Sequence, residues 1–429
     1  MATPEPSVPD WQWRPAAEIE WVASFCRKPR EQILIVATRD GHVHTIDTGT
    51  GKCRQPQAIP AKPGVRLALC AQSRTLREPN AATVATRPTS QSADAHSDAH
   101  TYAFDLRAVY GFDIAEEGRL RWRAELEETQ SADVLPGDPE YMLRNIAALD
   151  TDRGVLVVRS DGQLALLSAS NGQPVWIDQL PPLTNARLHA HGETAAIVWK
   201  EQARVRLVFL DLPSGQRVSP VVHMPLWPLW SALTREGLVA VHADCITIHV
   251  SDAPVRACTA PRHTNLMASA VSLCDPASSN DTAQPRCLVI VGATDGRLHA
   301  LAITSGVWLW HSGPICQPDA AWHALRCDAD TVAAVTSRSA VLCDRRTGAT
   351  LDRINAAPRE RMLDIASVHG TTWHLAQTDS SDHGAFRLAS AAANMRFESN
   401  GAFLRVFWTP DCVIIATQTE VQAFELPTP

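Results

Sequence analysis

A short turn motif recurs along the chain at a nearly constant interval, and that interval limits the fold more than any other feature. The motif is an aspartate or serine, any two residues, a threonine, serine or asparagine, then glycine. Copies hold Asp47, Thr50 and Gly51; Ser168, Asn171 and Gly172; Asp211, Ser214 and Gly215; and Asp344, Thr347 and Gly348. Another has Ala302, Ser305 and Gly306, and a looser one has Asp113, Gly118 and Trp122. Tryptophan often follows four residues after the glycine, at Trp122, Trp176 and Trp310. Gly172 and Gly215 are 43 residues apart, and Gly306 and Gly348 are 42 apart. The interval of 91 between Gly215 and Gly306 holds two units, the middle one without a clear turn glycine near Asp252-Ala253-Pro254.

Each position has a physical reason. The Asp or Ser ends a strand and can accept hydrogen bonds from the following turn. The glycine takes a positive φ that a side chain resists. Before the turn, residues alternate as in a strand: Leu164, Leu166 and Ser168 face one way, Ala165 and Leu167 the other. The tryptophan on the next strand can wedge between neighbouring sheets and bury roughly 150–250 Å².

A period in the low forties with four short strands per unit predicts the blades of a β-propeller. The alternation, the β-branched residues and the frequent turns exclude helical repeats. The fold expected is therefore all-β, one propeller domain over residues 1–429. Strand by strand, nine units can be enumerated; the expectation is eight blades, within a range of seven to nine. The chain stops where the outermost strand of the last blade is due. The strand at Trp11–Trp13 is the natural donor of that strand, since an unpaired sheet edge is a liability. Two stretches without apolar pattern, at about 72–100 and about 275–285, read as surface loops.

The hairpins before the turns make the pattern more specific. Asp161-Gly162-Gln163-Leu164-Ala165-Leu166, Asp295-Gly296-Arg297-Leu298-His299-Ala300 and Asp40-Gly41-His42-Val43-His44 share one form. With the turn and tryptophan that follow, they resemble the repeat of pyrroloquinoline-quinone-like, quinoprotein-type propellers. The resemblance covers most of the chain and is strong in about half the units. It implies the fold. It does not carry over a cofactor site, because no Cys-Cys pair and no quinone or calcium ligand set maps onto this sequence. WD-repeat propellers are the alternative, and their Gly-His and Trp-Asp signatures are missing.

Searches for chemistry return little. His42 and His44, and His189 and His191, share strand faces and could begin a zinc site, but no third ligand accompanies either pair, so they read as polar strand residues. Neither a nucleophile elbow nor a phosphate-binding glycine loop is present. Asp40-Gly41 and Asp295-Gly296 are hairpin turns and not catalytic acids. Eleven cysteines without C-x-x-C spacing argue against a disulfide scaffold or a zinc ribbon. The net charge of -7 gives no nucleic-acid footprint, and the basic groups Arg27-Lys28-Pro29-Arg30 and Arg353, Arg359 and Arg361 lack interleaved aromatics. No apolar run approaches the roughly 20 residues needed to span a bilayer, and Met1–Ser7 resembles no secretory signal. The chain is expected to be cytoplasmic.

The segment Met224-Pro225-Leu226-Trp227-Pro228-Leu229-Trp230 stands out. Its prolines suit a crossover. Both indoles suit the core, while an exposed aromatic patch would suit a partner, which makes Trp227 and Trp230 the candidate partner-binding residues. The functional expectation is a non-catalytic scaffold, monomeric alone and a subunit of a complex with other proteins, without cofactor or metal. The alternative is an enzyme, or a binder of a small ligand or peptide, that uses the central channel of the propeller.

Overall fold

A computed structural model of the chain describes residues 9–28, 31–53, 57–58, 68–69, 71–72, 100–104, 108–113, 119–126, 146–151, 153–183, 185–251, 253–261, 264–274, 287–318, 320–327, 330–378, 384–391, 393–399, 401–409 and 411–426. The stretches expected as loops, at about 72–100 and 275–285, lie almost wholly outside them.

The described residues form nine sheets and no α-helix. In chain order they span 19–58, 68–125, 146–179 with 71–72, 185–224, 230–259, 266–311, 322–355, 360–399, and 403–425 with 11–13. All but one have four strands; the third gains a fifth, Ala71–Gln72. That is one sheet more than eight and within the expected range. Six of them run in simple antiparallel succession, each strand paired with the next in the chain. In the last, the order is Trp11–Trp13, Val421–Glu425, Cys412–Thr417, Phe403–Trp408.

The chain divides into two compact units, one of Trp11–Trp227 with Gln418–Val421, the other of Met1–Asp10, Pro228–Thr417 and Gln422–Pro429. Within each, the core lies between successive sheets. In the first, Leu156, Leu164, Ile197, Trp199, Val208 and Leu210 fill one such layer. In the second, Val239, Ile246, Val289 and Leu301 fill one layer, and Leu298, Ala300, Val332 and Val341 the next. Strands buried on both faces, such as Leu288–Ala293, are continuous apolar runs. This departs from the strict alternation of a half-exposed sheet because Val289 and Val291 pack into one layer and Leu288 and Ile290 into the next.

The repeated motif is what joins these layers. Asp47 Oδ1 accepts hydrogen bonds from the Thr50 amide and hydroxyl, both at 2.9 Å, and Asp344 does the same for Thr347, both at 2.8 Å. The turn amide of Gly348 bonds the Asp344 carbonyl at 2.9 Å. Gly51, Gly172, Gly215, Gly306 and Gly348 all have φ between 66° and 71°. A tryptophan from another sheet lies over four of them. Trp122 covers Gly172, Trp176 covers Gly215, Trp310 covers Gly348 and Trp11 covers Gly51. Each indole N–H donates to a turn carbonyl: Trp122 to Ala169 at 2.8 Å, Trp176 to Leu212 at 2.8 Å, Trp310 to Arg345 at 3.0 Å and Trp11 to Thr48 at 2.9 Å. The glycine is needed twice, for its φ and because a Cβ would meet the ring. At Gly306 the covering residue is Arg256, which donates to Ile303 O at 3.1 Å and Thr304 O at 2.6 Å.

Candidate functional site

The first pair of histidines shares one local network, in which the Thr38 hydroxyl donates to Asp40 Oδ1 at 2.6 Å. His42 Nδ1 lies 3.1 Å from Asp40 Oδ2, and His44 Nε2 lies 3.4 Å from the Thr38 hydroxyl. The His44 ring sits edge-on to Trp13 at 4.9 Å, and its proton affinity is lowered, first by burial and then by the charge of His42. Burial pushes His189 down to about 4, with Arg187 adding to the effect; His191 is exposed at the strand end. Among the described residues no group of three His, Cys, Asp or Glu side chains is placed to hold a metal ion.

Other histidines are buried without charge. His242 Nε2 and His249 Nε2 share the Thr247 hydroxyl at 3.2 and 3.0 Å. Burial lowers His249 to about 4. His374 lies beside the bidentate pair of Arg387 and Glu360, whose bonds are 2.8 and 2.6 Å. Neither of its ring nitrogens has a hydrogen-bond partner, and burial followed by the Arg387 charge lowers it to about 4. These are neutral packing groups near pH 7.

Trp227 and Trp230 are both half-buried and lie in different units. Trp227 covers the start of the sheet 185–224, with the Arg187 guanidinium 5.1 Å and the Lys200 ammonium 5.2 Å from its ring centroid. Trp230 opens its own sheet and packs against the layer of Val239, Val241 and Ile246. The exposed apolar side chain between the prolines is Leu226, at 61%.

A cluster the sequence reading missed joins the first strands of three consecutive sheets in one unit: Trp322–Cys327, Glu360–Val368 and Phe403–Trp408. Arg326 Nη1 reaches Asp364 Oδ2 at 3.1 Å, and Nη2 donates to the Ile365 carbonyl at 2.9 Å. From the other side, Trp408 Nε1 donates to the same carboxylate oxygen at 3.0 Å. The partners are 38 and 44 residues apart. They occupy like places in successive repeats, and that was the available signal: polar residues one repeat apart on first strands. The motif alignment, anchored on the turn glycine, passes over them.

The comparisons agree with this architecture. A model of the outer membrane protein assembly factor BamB family matches residues 97–221, under a third of the chain. The crystal structure of the computationally designed Ika8 protein is 14% identical over 96% of this chain and 98% of its own, with a TM-score of 0.54. Dihydro-heme d1 dehydrogenase NirN, in complex with DHE, is 14% identical over 88% of this chain and 75% of its own, with a TM-score of 0.50. BamB from Moraxella catarrhalis is 12% identical over 98% of this chain and 99% of its own, at a TM-score of 0.48. No curated protein sequence matches the chain. At these identities the likeness is one of fold. The chain is an all-β protein of the propeller class. The family match over residues 97–221 includes the hairpin Asp161-Gly162, one of those on which the resemblance rests.

Proposed function

We propose that this chain is a non-catalytic propeller that binds other proteins as a subunit of a larger assembly. The observation that supports the reading most is a recurrent apolar row on outer strands. On Pro174–Gln179 the exposed residues include Val175 and Ile177, at 55% and 59%. On Val307–His311 they are Val307 and Leu309, at 54% and 45%, and on Thr350–Asn355 Leu351 is at 58%. A fourth strand needs its inward face for the core, and nothing internal requires Val, Ile or Leu on the other. Apolar rows on a rigid edge suit a covering partner. Eight of the cysteines among the described residues are free thiols, which supports a reducing compartment such as the cytoplasm. No helix among the described residues is long and apolar enough to cross a membrane.

The test is substitution on those rows. Ile177→Lys and Leu309→Lys each leave stability within about 0.5 kcal/mol, as exposed positions should. Each is expected to weaken assembly with the native partner. Unchanged assembly in both variants would contradict the reading.

A further inference from the structure

The Arg326–Asp364–Trp408 brace carries a second set of residues on the same three strands. His323, Arg361 and Arg405 each lie three residues before a member of the brace, and all three are exposed. Three residues of strand span roughly 10 Å, so each lies about that far along its own strand from the brace residue. The charge of Arg361 reaches His323: burial and then Arg361 hold its proton affinity down. The Arg405 guanidinium lies over the Phe407 ring at 5.3 Å.

Nothing on these strands neutralises the set. The two acids there are Glu360 and Asp364. Glu360 is engaged by Arg387 at 2.6 Å and Asp364 by Arg326 at 3.1 Å. Arg361 and Arg405 form no ion pair among the described residues. Each strand also changes register here, between Trp322 and Ala324, between Met362 and Asp364, and between Phe403 and Arg405. Such bulges re-aim side chains and are over-represented beside functional sites. The chain as a whole is acidic, at -7, so two exposed arginines without an ion pair on neighbouring first strands are a local feature.

We propose that His323, Arg361 and Arg405 form a platform that binds an acidic segment of a partner protein. This rests on the protein-binding reading above and names a partner chemistry for a different surface. Two arginine charges on separate strands, with the neutral His323 imidazole as a hydrogen-bonding neighbour, suit carboxylates spaced along a peptide better than one compact phosphate. The half-buried neighbours are the aliphatic Leu363, Leu404 and Val406, and the nearby Trp408 indole N–H is spent on Asp364. Stacking of nucleobases, which wants open aromatic faces, has little to use here. Exposed pairs contribute up to about 1 kcal/mol each, so several acting together are needed.

The probe is a fluorescent glutamate octapeptide, titrated by anisotropy against the full chain. The wild type is expected to bind it, and binding should fade near 1 M salt, where charges are screened beyond roughly 3 Å. The double variant Arg361→Ala, Arg405→Ala should bind about tenfold more weakly with unchanged thermal stability. Arg396→Ala, an exposed arginine on the outer strand Asn394–Ser399, should bind as the wild type does. No binding by the wild type, or equal binding by the double variant, would overturn the proposal. So would a single-stranded oligonucleotide bound through the same arginines while the peptide stays silent. The assay uses no native partner, so its failure is separable from intact or lost assembly in the Ile177 and Leu309 variants.

Discussion

Glycine under tryptophan is the smallest unit on which the fold depends. Gly348 has φ +70, and a Cβ there would stand 2.4 Å from Trp310 Cε3. Gly192 has φ +57 with nothing within 4 Å of a Cβ. Both lose left-handed freedom on mutation to alanine, at about 1 kcal/mol. Only Gly348→Ala must also push an indole off its carbonyl partner, so it should cost about 3 kcal/mol in all. Urea denaturation of the two variants measures the difference, and equal losses would argue against the stacked geometry. The buried histidines set a pH dependence. His249 and His374 fall from 6.5 to about 4 on folding. Between those values the unfolded chain holds the proton and the folded chain does not, so stability is full above about pH 6.5 and declines as pH drops toward 4. Each contributes at most about 1.4 kcal/mol per pH unit. Beside His374 the charged groups are Arg387, Glu360 and Asp352; beside His249 the titratable neighbour is His242. His374→Leu should flatten the decline between pH 7 and pH 5, and an unchanged slope would show that His374 does not titrate this way.

At the scale of elements, the strands were legible and their partners were not. The turn glycines, the Asp-Gly hairpins and the alternation at Leu164–Ser168 placed most strands, because those signals are local. That Trp176 covers the glycine of the following repeat, Gly215, follows from the period once sheets are stacked. That Arg256 replaces a tryptophan over Gly306 does not, since a guanidinium and an indole share only their reach and their N–H donors. The Arg326–Asp364–Trp408 brace was hidden for the same reason: its bonds cross two repeats, and no single window contains them. The Arg326 and Asp364 side chains are only 22% and 13% exposed, so removing the acid strands a poorly solvated guanidinium. Asp364→Ala is expected to cost about 3 kcal/mol, and Asp364→Asn, which keeps an acceptor for the indole, less. Thermal unfolding of both variants checks the order, and a neutral Asp364→Ala would remove the brace from the account.

For the whole molecule, repetition explains why the fold was readable and the function was not. Sheets that share one turn motif spend their conspicuous residues on turns, stacking and core, and leave other positions that no motif marks. Trp227 shows the limit. Its sequence context suggested either core or partner contact, and the structure places it half-buried between the cations of Arg187 and Lys200, a position that a list of aromatic residues does not specify. The apolar rows at Val175, Ile177, Val307 and Leu309 were equally silent, because exposure of one face depends on which strand lies outermost in its sheet. We propose that this propeller works by being bound. Its most direct test is the mass of the species that contains the tagged chain in native extract, wild type against Ile177→Lys. The account predicts a defined hetero-assembly well above the 46.7 kDa of the chain, diminished in the variant. A monomer at 46.7 kDa in native extract would contradict it.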